Sequence, residues 1–133
     1  MRSNSGVMTT ILLVEDDPLQ AFVRMSALEK RFPEVRRVAD AAEALCLIED
    51  RVFADNLGLV IAGNHLPGLG GPEFVAELHA RIPGVPVLVL GDGFETANDY
   101  SGQDIRFLSR PIGAQDVAEA ASQMVIQDGH KVA

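Results

Sequence analysis

Three consecutive acids, Glu15, Asp16 and Asp17, follow an apolar run near the start of the chain. Grouped carboxylate oxygens are the ligands that a hard cation such as Mg²⁺ prefers in proteins. The same residues also permit a simpler interpretation, in which Asp17 caps a helix that begins with Pro18 and the other two acids are solvated. The acidic cluster therefore predicts either a metal site or a capped helix, and both interpretations stay open at this point.

The elements around these acids follow from the pattern of apolar residues. Short apolar runs alternate with stretches of helical period, and the runs show no alternation of apolar and polar residues. Strands of this kind are typical of parallel sheets that helices cover on both faces. The predicted strands are 11–14, 35–39, 57–62, 86–90 and 105–109, and the predicted helices begin near Pro18, Ala41, Pro72 and Ala114. The pattern indicates an α/β fold with right-handed crossovers.

In such folds the functional crevice lies at the carboxyl ends of the strands. Besides the acids at 15–17, the residues at this edge are Gly63, Asn64, His65, Gly91, Asp92, Arg110 and Pro111. Three further glycines, at positions 68, 70 and 71, lack the spacing of a nucleotide-binding loop and predict a tight turn into the following helix.

Composition excludes several classes of protein. The chain has 133 residues, which is the length of one domain. Its formal net charge of −8 disfavours binding to nucleic acid and to anionic membrane surfaces. The single cysteine, Cys46, excludes an internal disulfide, and no apolar run approaches the roughly 20 residues of a membrane span. We expect a soluble, cytoplasmic domain at 10–128, with a flexible lead-in at 1–9 and a tail at 129–133.

The ordered set of motifs resembles the receiver domain of two-component response regulators. The matching residues are Ile11 to Asp17, Leu66-Pro67-Gly68 with Gly71, Pro86 to Leu90, and Phe107 to Pro111. The resemblance covers 10–127. It implies a single doubly wound sheet of five parallel strands in the order 2-1-3-4-5, with helices on both faces, which is the flavodoxin-like receiver fold.

The resemblance places the family's phosphoacceptor aspartate, four residues before Pro67, at Gly63. Glycine has no carboxylate that could attack phosphorus. The family also uses that aspartate as a ligand of Mg²⁺, so the acidic pair Glu15 and Asp16 loses its third partner. We therefore expect a degenerate receiver, with no cofactor and with a Mg²⁺ site at Asp16 that is doubtful.

Further expectations concern the positions that switch in the family. The Ser/Thr after the fourth strand falls on Gly91, the aromatic of the fifth strand on Phe107, and the lysine on Arg110, which precedes an expected cis Pro111. We expect Arg110 to pair with Asp16 or Glu15 in place of a metal. We also expect a short, irregular or mobile segment over 94–100.

The sequence thus predicts an atypical stand-alone receiver domain in phosphorelay signalling, a pseudo-receiver that is not an enzyme and acts through protein contacts. The expected partners are a histidine kinase, a phosphotransfer protein, another signalling protein or a second copy of the chain. Family members meet histidine kinases through the first helix and nearby loops. One alternative is a working Mg²⁺-dependent phosphoacceptor that uses a displaced acid, Asp92 or Asp16. Another is an α/β module that binds a small anion or ligand in the space left by Gly63 and Gly91, beside Arg110.

Overall fold

Strands and helices alternate along the chain. The computed structural model describes residues 9–63, 66–91, 104–109 and 113–132, with side chains as far as residue 125. The strands are β1 Thr10–Val14, β2 Glu34–Val38, β3 Leu57–Gly63, β4 Val87–Leu90 and β5 Ile105–Leu108. The helices in these ranges are α1 Pro18–Glu29, α2 Ala41–Leu47, α3 Arg51–Asn56, α4 Gly71–Arg81 and α5 Ala114–Val132.

The five strands form one parallel sheet in the order β2-β1-β3-β4-β5. This order confirms the fold predicted from the sequence. Val14 of β1 lies opposite Ala62 of β3, and Gly63 of β3 lies opposite Leu90 of β4. The carboxyl ends of the three inner strands therefore meet at one edge of the sheet.

Each face of the sheet carries its own hydrophobic core, because successive strand residues point to opposite faces. Ile11 and Leu13 pack in a cluster with residues of α1 and α5, including Leu28. Leu12 and Val14 pack in the other cluster, with residues of α2 and α4 that include Phe74. All five residues of β1 are buried, which explains why its sequence is apolar throughout.

Helix α1 buries a different face from the one that its most apolar residues form. Asp17 caps the helix and Pro18 occupies its first turn, as predicted. The buried residues are Ala21, Ala27 and Leu28. Leu19 and Phe22 are each 70% exposed and Val23 is 44% exposed, so the helix presents an apolar stripe to solvent. We call these three residues the α1 stripe.

The second crossover contains two helices where the sequence predicts one. Helix α2 ends at Leu47, and Asp50 then starts α3 because its Oδ1 accepts hydrogen bonds from Val52 N at 3.0 Å and Phe53 N at 3.3 Å. An aspartate at the N-cap stabilises the first turn of a helix. The chain therefore makes a short additional helix before it enters β3.

The last helix extends past residue 128, where the sequence analysis ended the domain. Helix α5 runs to Val132, and Val117, Ala118 and Ala121 are buried against the sheet as the apolar period predicts. In the described ranges, no helix combines the length and the apolar character that crossing a lipid bilayer requires.

Two phenylalanines allow a matched test of this packing. Phe74 is fully buried, whereas Phe22 is 70% exposed. We expect Phe74→Ala to lower the free energy of unfolding by about 3–5 kcal/mol, because it leaves a cavity. The same change at Phe22 should alter it by less than about 0.5 kcal/mol. Urea denaturation measures both values, and equal losses at the two positions would contradict the described burial.

Candidate functional site

The acidic turn after β1 lies at the edge where the inner strands end. Glu15 N donates to Val38 O at 3.0 Å, so the residue continues the pairing of β1 with β2 for one more step. Because Val14 lies opposite Ala62, the next residues in register are Glu15 and Gly63. The topology thus brings together the acid and the glycine that the sequence analysis placed in one site.

Both oxygens of the Glu15 carboxylate have partners in the protein. Glu15 Oε1 forms an ion pair with Arg24 Nη1 of α1, and the two side chains are only 12% and 14% exposed. Glu15 Oε2 accepts a hydrogen bond from Asp17 N at 3.0 Å. The carboxylate is therefore satisfied by a guanidinium and a backbone amide, both from its own chain.

Arg37 of β2 holds the backbone of the same turn. Its Nε and Nη2 atoms donate to Glu15 O at 3.0 and 2.8 Å, and Nη2 also lies 3.4 Å from Asp16 O. Arg37 lies opposite Leu13 in the sheet, two residues before Glu15. Its side chain is therefore long enough to reach the backbone at the end of β1. A second positive charge therefore stands beside the acidic turn.

The other two acids have separate roles. Asp17 Oδ1 accepts from Leu19 N at 2.9 Å, which is the capping contact that the simpler interpretation predicted. The side chain of Asp16 is exposed to solvent. Across the described ranges, no three His, Cys, Asp or Glu side chains are grouped closely enough to hold a metal ion.

The end of β3 offers space for a side chain that Gly63 does not have. Among the described residues other than its neighbour along the chain, the atom nearest to a Cβ on Gly63 is Leu90 O, at 3.9 Å. The Leu-Pro-Gly segment then leads into α4: Leu66 is buried in the core, and Gly68 adopts a left-handed turn with φ of 82°. Gly70 N donates to Glu73 Oε1 at 3.1 Å and so begins the helix.

Gly91 and Phe107 complete the described part of this edge. Gly91 is buried, and its amide donates to Leu108 O at 2.8 Å, which extends the pairing of β4 with β5. Phe107 is partly buried and packs against the cluster that contains Phe74. Neither residue carries a polar side-chain atom.

Comparison with known families agrees with this arrangement. A family model described as the response regulator receiver domain matches residues 11–122, which is most of the chain. The chain belongs to the response regulator receiver domain family.

Known receiver domains share the fold. One from Clostridium thermocellum has a TM-score of 0.79 and 21% identity, covering 91% of this chain and 97% of that one. The signal receiver domain of an HD domain-containing protein from Pseudomonas fluorescens Pf-5 has a TM-score of 0.77 and 26% identity, covering 92% and 98%. Sensor kinase CckA of Brucella abortus (strain 2308) is 25% identical over 119 residues, 87% of this chain. The chain spans about 12% of that kinase's length.

Several positions that the sequence analysis singled out lie outside the described residues. They are Asn64, His65, Asp92, Arg110 and Pro111, together with the segment 94–100. The expected pairing of Arg110 with Asp16 or Glu15 and the expected cis bond before Pro111 therefore stay predictions. Arg24, which the structure places on Glu15, was not foreseen from the sequence. The one feature of the sequence that points to this contact is a basic residue on the side of α1 opposite its periodic apolar residues.

A cleft of about 370 Å³ lies between β5 and α5 of the receiver domain, away from Gly63. Asp116 and Glu119 contribute carboxylates to its lining, and the guanidinium of Arg106 donates to Gln123 Oε1 at 2.7 Å. Two carboxylates beside one engaged arginine repel an anion. The cleft is lined by neither Gly63 nor Gly91, so the anion-binding alternative at those residues stays a prediction.

The space at Gly63 can be tested with a matched pair of glycine substitutions. Gly63→Ala should keep or raise the free energy of unfolding, by up to about 1 kcal/mol, because alanine restricts the unfolded chain and its Cβ lies at an ordinary contact distance, 3.9 Å, from Leu90 O. Gly68→Ala should lower it by about 1–2 kcal/mol, because φ is 82° there. Urea denaturation checks both, and a loss at Gly63 as large as that at Gly68 would contradict the described geometry.

Proposed function

We propose that this receiver domain works through protein contacts and without an aspartyl phosphate, as a pseudo-receiver in two-component signalling. One observation carries the proposal: β3 ends in Gly63, beside Glu15, where the resemblance to the family places the phosphoacceptor. Receiver domains interact with histidine kinases and other signalling proteins, so a receiver that lacks the reactive group retains a surface for binding.

Phosphoryl transfer to a receiver needs a carboxylate nucleophile together with neutralisation of the phosphoryl charge. Gly63 supplies no nucleophile. Of the three neighbouring acids, Glu15 is engaged by Arg24, Asp17 caps α1, and Asp16 is exposed to solvent. The magnesium ion that the family implies does not fit these residues, because one carboxylate is missing and another is occupied. These contacts support a role that depends on binding rather than on chemistry.

The α1 stripe supports a contact surface at the first helix. Phe22 and Val23 follow Leu19 by three and four residues, so the three form one face of the helix. Contiguous exposed apolar residues mark interaction sites, and helical partners bind such faces with residues at the same spacing. We propose that the helices of a histidine kinase or phosphotransfer protein pack on this stripe, consistent with the relative that is named a sensor kinase.

Phosphorylation can be tested directly with a small phosphodonor. We expect the intact mass of the protein to stay unchanged after incubation with acetyl phosphate and Mg²⁺, because no carboxylate stands at position 63. A phosphoryl group would add about 80 Da. A receiver domain that carries aspartate at the corresponding position is the positive control, measured in the same reaction. An adduct mapped to Asp16 or Asp92 would contradict the proposal and establish the displaced-acid alternative.

The contact surface can be tested with exposed apolar residues on two helices. Phe22 on α1 and Val52 on α3 are both 70% exposed. Against purified phosphotransfer and dimerisation domains from the source organism, Phe22→Gln should raise the Kd of the partner that binds by about tenfold or more, as expected for a central contact residue. Val52→Gln should leave that Kd within about twofold, since it lies on another helix.

Biolayer interferometry measures these constants, and circular dichroism establishes that both variants stay folded. Equal effects of the two substitutions, or no effect of Phe22→Gln, would show that the partner binds elsewhere on the domain.

A further inference from the structure

The contact between Arg24 and Glu15 joins the middle of α1 to the end of β1. It is largely enclosed, since the two side chains are only 14% and 12% exposed. The guanidinium is a cation with several N–H donors in a fixed planar arrangement. The contact therefore places a positive charge directly on the Glu15 carboxylate.

The contact also uses the coordination capacity of Glu15. Oε1 pairs with Arg24 and Oε2 accepts from Asp17 N at 3.0 Å. A cation that approached this carboxylate would compete with the guanidinium for Oε1 and would be repelled by its charge. Displacement would leave Arg24 charged and largely enclosed with no counter-ion, which is unfavourable.

Arg37 adds to the same effect from the other side of the turn. Its guanidinium holds Glu15 O at 2.8 and 3.0 Å. Two fixed positive charges therefore flank the acidic turn, and a divalent cation would meet repulsion as well as competition for ligands.

We infer that Arg24 is a specificity-determining residue of this edge: it serves as a built-in counter-ion and excludes divalent cations from Glu15 and Asp16. The inference rests on the proposed function and deepens it. The loss of the metal site then has two independent causes, the missing carboxylate at Gly63 and the occupied carboxylate at Glu15. Restoring the first alone should not restore the site.

The test uses the full chain and Mn²⁺ as a probe for Mg²⁺. Gly63→Asp supplies the third carboxylate in the space that the structure leaves. We expect Gly63→Asp alone to bind Mn²⁺ weakly, and the double variant Gly63→Asp with Arg24→Gln to bind it about 10–100-fold more tightly, the range by which groups around a ligand alter metal affinity. Isothermal titration calorimetry gives the dissociation constants.

Matched variants separate the contact from general charge. Arg36 is an exposed arginine of β2, so Gly63→Asp with Arg36→Gln removes the same charge and should bind Mn²⁺ within about twofold of Gly63→Asp. Gly63→Asp with Arg24→Lys keeps the positive charge at position 24 and should still bind Mn²⁺ weakly. If Arg24→Gln does not fold, Arg24→Met keeps the apolar stem of the side chain and should give the same gain. Thermal denaturation with and without Mg²⁺ provides a second readout, because a bound ion raises Tm.

The possible outcomes distinguish a failure of the inference about Arg24 from a failure of the proposed function. Equal Mn²⁺ affinity of Gly63→Asp with and without Arg24 would overturn the inference and leave the proposed function intact. An aspartyl phosphate on the unaltered protein would overturn the proposed function, whatever Arg24 does. Tighter binding in every variant that loses a positive charge, Arg36→Gln included, would also overturn the inference, since bulk electrostatics would explain it.

Discussion

Burial of the inner strands on both faces is the constraint on which the rest of this structure depends. Every residue of β1 and β4 is buried, and two separate apolar clusters fill the space between the sheet and its helices. A shift of one residue would exchange the two faces, so the register is strongly fixed. The position of Glu15 beside Gly63 follows from that packing and not from any contact between them. A fold held in this way does not depend on which side chains stand at the ends of its strands.

The sequence predicted the elements that burial determines. Apolar runs located β1, β3 and β4, weaker patterns located β2 and β5, and the Asp17-Pro18 pair located the start of α1. The prediction of a single helix after β2 was wrong. Asp50 starts a second helix through local hydrogen bonds, and no apolar period in the sequence indicates that helix. The apolar period of α1 identified the helix but not its packed face. Small alanines beside the sheet allow close approach, whereas Leu19 and Phe22 stay in solvent.

For the candidate site, too, the sequence predicted some features and not others. Among the described residues, the sequence placed Glu15, Gly63 and Gly91 correctly at the sheet edge, because the ends of strands follow from the strands themselves. It did not predict the partner of Glu15, because that contact depends on the orientation of α1 and on a side chain nine residues away. Arg37 illustrates the same limit. The sequence predicts that it lies in a strand, but its hydrogen bonds to Glu15 O depend on how β1 and β2 are aligned, which the sequence does not give.

The exposed face of α1 has a consequence for the kinetics of association. The chain carries a formal net charge of −8, so two copies repel each other at long range even though each displays apolar side chains. A partner with a basic surface is instead drawn towards the domain, and the rate of that encounter falls as ionic strength rises. The same excess of carboxylates thus opposes contact between the exposed apolar helices of two copies and favours partners with a basic surface.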